Sequence, residues 1–505
     1  MKFFRKYHKW AGLVLAFFMV MFAVSGIILN HRKTFSGIDI SRGLLPRSYH
    51  YNNWNNASIK GTIKLTADSV LLYGGAGIWL TDSLQSKFYN FTNGIKTGAD
   101  NRATARIVKT SNGNVYAATT FDLYKLTCHT WENITDLTGI NERISDMEAH
   151  DDTLVVLTRS HIYHSTAPYT KFTKTELQQP EGYKAQTSVF RVLWLLHSGK
   201  LFGTGGKFFV DFLGIILIIV SVTGVIYFFC PTLIKRKRKK GHPAKSTYKT
   251  LTTSIKWHNK LGVLFFIFFV LIVLTGMFLR PPLMITIIKS KINNPPYTVL
   301  SDTNPWNDKL RTIRYDDAYQ QWLIYTSSGF YTLEHLRDIP RALTATPPVS
   351  VMGVTVLEKV PQGWLVGSFS GLFYWNRTQN YTINYYTKQP VPPTRQGRPV
   401  SLNPISGYSR DLKGETVFEY NKGAVDSMAN IKPTPMPMEL GKGRISLWNT
   451  SLEVHTGRMY SYLFGLSGDL YPFLMGLVTL ILLISGYSVY RKKYRKSIKK
   501  IKNRI

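Results

Sequence analysis

The chain has 505 residues, enough for two or more domains, with 63 Lys and Arg against 29 Asp and Glu and a formal net charge of +34. Such a balance invites nucleic acid as a partner, but its distribution argues against one. Residues 1–9, 231–256 and 491–505 carry 4, 9 and 9 basic residues and no acid, each beside an apolar block. The only two cysteines are Cys128 and Cys230, too few for a disulfide framework.

Four apolar blocks run through the chain: Trp10–Asn30, Phe209–Cys230, Gly262–Leu279 and Pro472–Tyr490. Each has about 18–22 residues, the length a helix needs to cross about 30 Å of hydrocarbon. The first lacks a small-residue cleavage site and reads as a retained span rather than a signal peptide. Basic clusters flank spans on the cytoplasmic side, so both termini and the middle linker are expected there, beside anionic lipid. In chain order this predicts a first span at 1–31, an outer β-rich segment at 32–187, and a His-Ser-Gly segment with a second span at 188–234. A basic linker at 235–256, a third span at 257–281 and a second outer segment at 282–446 follow. A His-Thr-Gly segment with a fourth span at 447–490 and a basic tail at 491–505 end the chain.

The halves repeat. Leu196-His197-Ser198-Gly199-Lys200 returns as Val454-His455-Thr456-Gly457-Arg458, and Gly214 and Gly224 return as Gly476 and Gly486. Tyr7-His8-Lys9-Trp10 matches Trp257-His258-Asn259-Lys260, and Ser25-Gly26 matches Thr275-Gly276. Such self-similarity points to a protein of two related halves.

Within the outer segments, short strand–turn–strand patterns recur. They are Val70–Tyr73 with Gly77–Leu80, Val115–Ala118 with Leu123–Leu126, Leu154–Leu157 with His161–Tyr163, Trp322–Tyr325 with Gly329–Thr332, and Trp364–Gly367 with Gly371–Trp375. Neighbours within a segment start about 39–45 residues apart, the period of propeller blades. The form Trp364-Leu365-Val366-Gly367…Gly371-Leu372-Phe373-Tyr374-Trp375 resembles blades of the propellers on some bacterial two-component sensors. Three hairpins in one segment and two in the other, with Thr416–Met428 as a further candidate, suggest that both segments build one shared β-propeller. Two independent β-sandwich-like domains are the alternative. The fold class is therefore membrane α + β, with four transmembrane helices as two repeated pairs. Trp79, Trp322, Trp364 and Trp375 are expected to pack blades, and residues 389–399 and 433–437, rich in proline, to form loops.

Five of the twelve histidines sit at span boundaries: His8, His31, His197, His258 and His455. Ionisable groups at membrane depth are functional candidates, and neutral imidazole is a usual axial ligand of haem iron. The repeat supplies one histidine from each half at each membrane level: His8 and His258 inside, His197 and His455 outside, with His31 as a possible addition. That arrangement suits a bis-histidine haem at each face, with span glycines admitting a flat macrocycle or a neighbouring helix. The plainer reading is that these histidines are interfacial anchors and the glycines serve helix packing alone.

The segments around His8, His197, His258 and His455, together with Leu447-Trp448, resemble the PepSY-associated transmembrane family over the four spans and their flanks. That family includes inner-membrane haem-containing reductases that release iron from ferric siderophores in the periplasm. The resemblance implies haem b held by His8, His197, His258 and His455, electrons moving outward, and a bacterial inner-membrane protein with periplasmic outer segments. No PepSY module is legible outside the membrane, only the propeller-like hairpins. No phosphate-binding glycine loop, dinucleotide fingerprint or nucleophile motif is present, and residues 231–256 are too few for a flavin or nicotinamide domain. A quinol or a cytoplasmic reductase would then be the electron donor and a ferric chelate the acceptor. The rival readings are a non-catalytic membrane-anchored subunit whose β-domain binds an envelope protein, and a regulator of a partner enzyme.

Overall fold

The computed structural model describes residues 2–502 apart from 83, 303, 362, 394–396, 398, 399, 413, 426–433 and 462–464. The chain divides into a helical unit (1–32, 185–302 and 448–505) and a β unit (33–184 and 303–447).

The helical unit contains α1 (Lys2–Asn30), α2 (Val189–His197), α3 (Gly203–Lys239), α4 (Lys245–Leu264), α5 (Phe266–Phe278), α6 (Leu447–His455, joined to this unit from Trp448) and α7 (Tyr471–Lys502). Three of them, α1, α3 and α7, are long and apolar enough to cross a membrane. The expected third span is not one straight helix: α4 and α5 meet at 64° around Phe265 and make a fourth span only if taken together. Helix α1 packs on α3 and α7, α3 on α4, and α5 on α7 and α2. Ile216, Leu261 and Phe269 form a buried knot between α3, α4 and α5. Large apolar side chains such as Phe17, Ile267 and Ile481 point outward, 58–74% exposed, as helices facing hydrocarbon require. Residues 282–302, expected with the second outer segment, belong to this unit, where Lys291–Asn293 pairs with Gln186–Ser188.

The β unit holds six antiparallel meanders, each strand bonded to the next in sequence. All five expected hairpins form, and each gains a strand on either side to make four. The sixth sheet comprises Ile405–Ser409, Thr416–Glu419 and Gly423–Val425, so the expected strand region at Thr416–Met428 is present as far as Val425, with 426–428 outside the described residues. Of the expected loops, 394–396, 398, 399 and 433 also lie outside them. In five sheets the first strand carries a register shift near its start, which bends and twists it. Alternating Val, Leu, Ile and aromatic residues bury the sheet faces, and Trp79, Trp322, Trp364 and Trp375 lie in these cores at 2–6% exposure.

Both outer segments contribute to single cores. Leu157 and Ile162 pack with Leu310, Ile313 and Trp322, while Trp54, Leu72 and Trp79 pack with Phe418 and Ala424. The sixth sheet meets the segment leading into the first through Tyr408 N–H to Lys60 O (3.1 Å) and Ala424 N–H to Asn53 O (2.8 Å). Gly423 permits this contact: with φ of +84°, a Cβ there would lie 1.6 Å from Asn53 O. Between the first strands of four sheets lies a buried ionic cluster. Arg314 contacts Asp146 (2.7 Å) and Glu148 (3.4 Å), and Arg106 pairs with Glu358 and reaches Glu148 (3.7 Å). Burial pushes the Glu148 carboxyl up to about 7 although both guanidinium groups pull it down.

Candidate functional site

The four repeat-matched histidines meet as two pairs within the helical unit. His8 of α1 faces His258 of α4, with ring centres 6.3 Å apart and planes at 78°. His197, ending α2, faces His455, ending α6, at 6.1 Å and 61°. His8 and Gly26, against which His455 packs, are eighteen residues apart on α1, so the pairs occupy levels about 27 Å apart along that helix.

All four imidazoles are seated alike, each against a glycine of another helix and each with Nδ1 on the hydroxyl or carbonyl that precedes that glycine. His8 Nδ1 reaches Leu482 O (3.2 Å) and Ser485 Oγ (3.1 Å), next to Gly486. For His258 the partners are Val220 O (2.9 Å) and Thr223 Oγ1 (3.5 Å), beside Gly224. His197 Nδ1 lies 3.0 Å from Ile272 O and 3.1 Å from Thr275 Oγ1, beside Gly276. His455 Nδ1 lies 2.9 Å from Ser25 Oγ, beside Gly26. The hydroxyls already donate within their own helices: Ser25 to Met21 O (2.7 Å), Thr223 to Ile219 O (2.6 Å), Thr275 to Leu271 O (2.8 Å) and Ser485 to Leu482 O (2.8 Å). Each imidazole therefore donates from Nδ1, and its lone pair sits on Nε2. Among the described residues none of the four Nε2 atoms has a hydrogen-bond partner.

The glycines serve these rings. A Cβ on Gly486 would lie 2.7 Å from His8 Cε1, on Gly276 2.9 Å from His197 Cε1, on Gly224 3.2 Å from His258 Cε1 and on Gly26 3.4 Å from His455 Cε1. The sequence reading gave span glycines to a macrocycle or a neighbouring helix; these four admit an imidazole instead. Gly214 and Gly476 do admit a neighbouring helix, facing Ile27 and Met277.

This donor set fits a haem iron. A metal–imidazole bond of about 2.0–2.1 Å, carried about 1.1 Å further to the ring centre on each of two sides, separates the centres by about 6.3 Å. Both pairs match. Two imidazoles so spaced would suit an iron whose other positions a macrocycle fills. Among the described residues no group of three or more His, Cys, Asp or Glu gathers as a bare ion would need.

His31 is placed differently. Its Nε2 lies 2.7 Å from Asp211 Oδ2, and Asn30 Nδ2 donates to Asp211 Oδ1 (2.9 Å) and Ser198 O (3.2 Å). Asp211 is 7% exposed within the apolar helix α3, and the sequence reading passed over it. A lone acid inside a span was the available signal. The Ser or Thr before each seating glycine was visible too, but its role needed the partner helix.

A family model described as the PepSY-associated TM region matches residues 5–493. No curated protein matches the chain. Among solved structures, the chain is similar to an extracellular domain assigned to a hybrid two-component system of Bacteroides thetaiotaomicron, at 10% identity and a TM-score of 0.35, over 74% of this chain and 39% of that one. It is also similar to a protein of unknown function from the same species, at 10% identity and a TM-score of 0.36, over 77% of this chain and 74% of that one. The chain thus spans about two-fifths of the first of these.

Proposed function

The chain belongs to the PepSY-associated transmembrane family, and from that premise we propose a membrane electron-transfer protein with two b-type haems, the inner held by His8 and His258 and the outer by His197 and His455. It passes electrons outward across a bacterial inner membrane to an extracytoplasmic acceptor, a ferric chelate in iron acquisition. A quinol or a cytoplasmic reductase supplies them. The observation that carries this reading is the fourfold seating: imidazoles paired at 6.1 and 6.3 Å, every Nδ1 engaged and every Nε2 left as a lone pair. Haem bound there would supply one-electron carriage. The chain's own part is to fix the tautomer and ring orientation through Nδ1, which also raises the basicity of Nε2. His31, bonded to Asp211, is left out of the ligand set.

In this reading the α4–α5 pair is the third of four spans, and the basic flanks face the cytoplasm. The six meanders are blades of one periplasmic propeller that docks the acceptor. The contacts of the sixth sheet with residues 53–60 support such a closure. The test is an absorption spectrum of the detergent-purified full chain, oxidised and dithionite-reduced, beside His8→Ala and His455→Ala. About two six-coordinate b-type haems per chain, with one lost in each variant, is the expected result. A well-folded protein without haem would leave an anchored β-domain that binds a partner.

A further inference from the structure

The two pairs differ in how their helices hold them. His8 and His258 lie inside long helices, whereas His197 and His455 are the last residues of nine-residue helices. Each of those helices gives way within two residues to a left-handed glycine, Gly199 at φ +76° and Gly457 at φ +78°. Helices this short are marginal by themselves, and their last turns fray. Something outside them must fix the outer imidazoles.

Leu29, Asn30 and Arg32, at and just past the end of α1, reach both short helices or the turn that ends them. On one side Asn30 Nδ2 donates to Ser198 O, next to His197, and to Asp211 of α3, which also holds His31. On the other side Trp448 Nε1, in the first turn of α6, donates to Leu29 O (3.1 Å), and the Arg32 guanidinium lies 4.0 Å over the Trp448 ring. The repeat does not share this device: Arg280, Pro281 and Phe473 stand where the first half has Asn30, His31 and Asp211. Arg280 bonds Asp469 instead.

We propose that Leu29–Arg32, Asp211 and Trp448 form a bracket that sets the separation and relative angle of the two outer imidazoles, so that Asp211 and Trp448 are positioning residues for the outer pair. The consequence for a bound group rests on the haem reading above; the bracket itself does not. Asp211 holds Asn30, whose amide ties the α1 end to the His197 turn, and Trp448 ties that end to the helix of His455. Loss of either link loosens the outer pair and leaves the inner one as it was.

The test is backbone hydrogen exchange on the full chain in detergent, with haem removed, comparing the parent with Asp211→Ala and Trp448→Phe. Removing a buried hydrogen bond of this kind is expected to speed exchange about ten- to a hundredfold in residues 189–199 and 447–457, with no change around His8 and His258. Unchanged exchange in both segments overturns the bracket, as does a uniform rise over all helices. Should Asp211→Ala fail to fold, Trp448→Phe decides alone, since it keeps an aromatic ring, though a smaller one, under Arg32 and loses the N–H bonded to Leu29 O. In the haem-loaded protein the low-spin ferric resonance of the outer centre, identified by its loss in His455→Ala, should shift in both variants while the inner resonance stays. Asp211→Asn, which keeps an acceptor for Asn30, should move it less. A protein that binds no haem yet shows the exchange pattern refutes the haem reading alone; two haems with unmoved exchange refute the bracket alone.

Discussion

The glycine seats make a graded prediction. Few real Cβ atoms approach another heavy atom closer than 3.4 Å, so alanine at Gly486, Gly276, Gly224 or Gly26, with clearances of 2.7, 2.9, 3.2 and 3.4 Å, asks for different displacements of the facing imidazole. The shortfalls are about 0.7, 0.5, 0.2 and 0 Å, against a tolerance of about ±0.2 Å in a metal–ligand distance. His8 and His197 would have to move beyond that tolerance, and each is held by an Nδ1 bond to the same helix that carries the new methyl. Gly486→Ala should therefore lose the inner haem and Gly276→Ala the outer one. Gly224→Ala should keep two haems with a weakened ligand field, and Gly26→Ala should match the parent. The assay is haem per chain and the reduced absorption spectrum of each variant, with monodispersity as the check on folding. An order that ignores the clearances, with Gly26→Ala as damaging as Gly486→Ala, would refute the idea that these glycines exist to seat imidazoles.

Three further outcomes are expected. Thr275→Val removes one of two Nδ1 partners of His197 and leaves the Ile272 carbonyl at 3.0 Å, so haem loss to an acceptor protein should speed by about tenfold or more, on the outer centre only. Burial raises the Glu148 carboxyl from 4.5 to about 7, so the fold disfavours its ionised form, and this group's contribution to stability falls as pH rises from about 4.5 to about 7. Glu148→Gln should remove that component, changing the parent–variant stability difference by about 3 kcal/mol over the interval; parallel denaturation curves at each pH would rule it out. Trp131, 1% exposed and donating to Phe91 O at 2.8 Å, should cost the β unit about 3–5 kcal/mol on truncation to alanine, measured by urea denaturation of the full chain.

The periodicities in this chain are local, and local signals are what a sequence displays. Apolar runs long enough for a bilayer, the period-two hairpins with Gly or polar turns, and the His-[Ser/Thr]-Gly repeat each depend on neighbours a few residues away. So the helices, the five hairpins and the family were legible, and the repeat also suggested which histidine of one half answers which of the other. The break at Phe265 was not legible, because Val263-Leu264-Phe265-Phe266 reads as uninterrupted span and only the packing of α4 on α3 and α5 on α7 sets its direction. Nor could the sequence assign the glycines: Gly486 owes its identity to His8, 478 residues away, and Gly423 to Asn53. His31 shows the same limit from the other side. At a span end it was a possible addition to the other four, and its partner, Asp211, had to arrive from another helix before its Nε2 was seen to be taken. Close approach between distant segments is a property of the tertiary structure, and there the choice between an imidazole that faces another imidazole and one that faces a carboxylate was made.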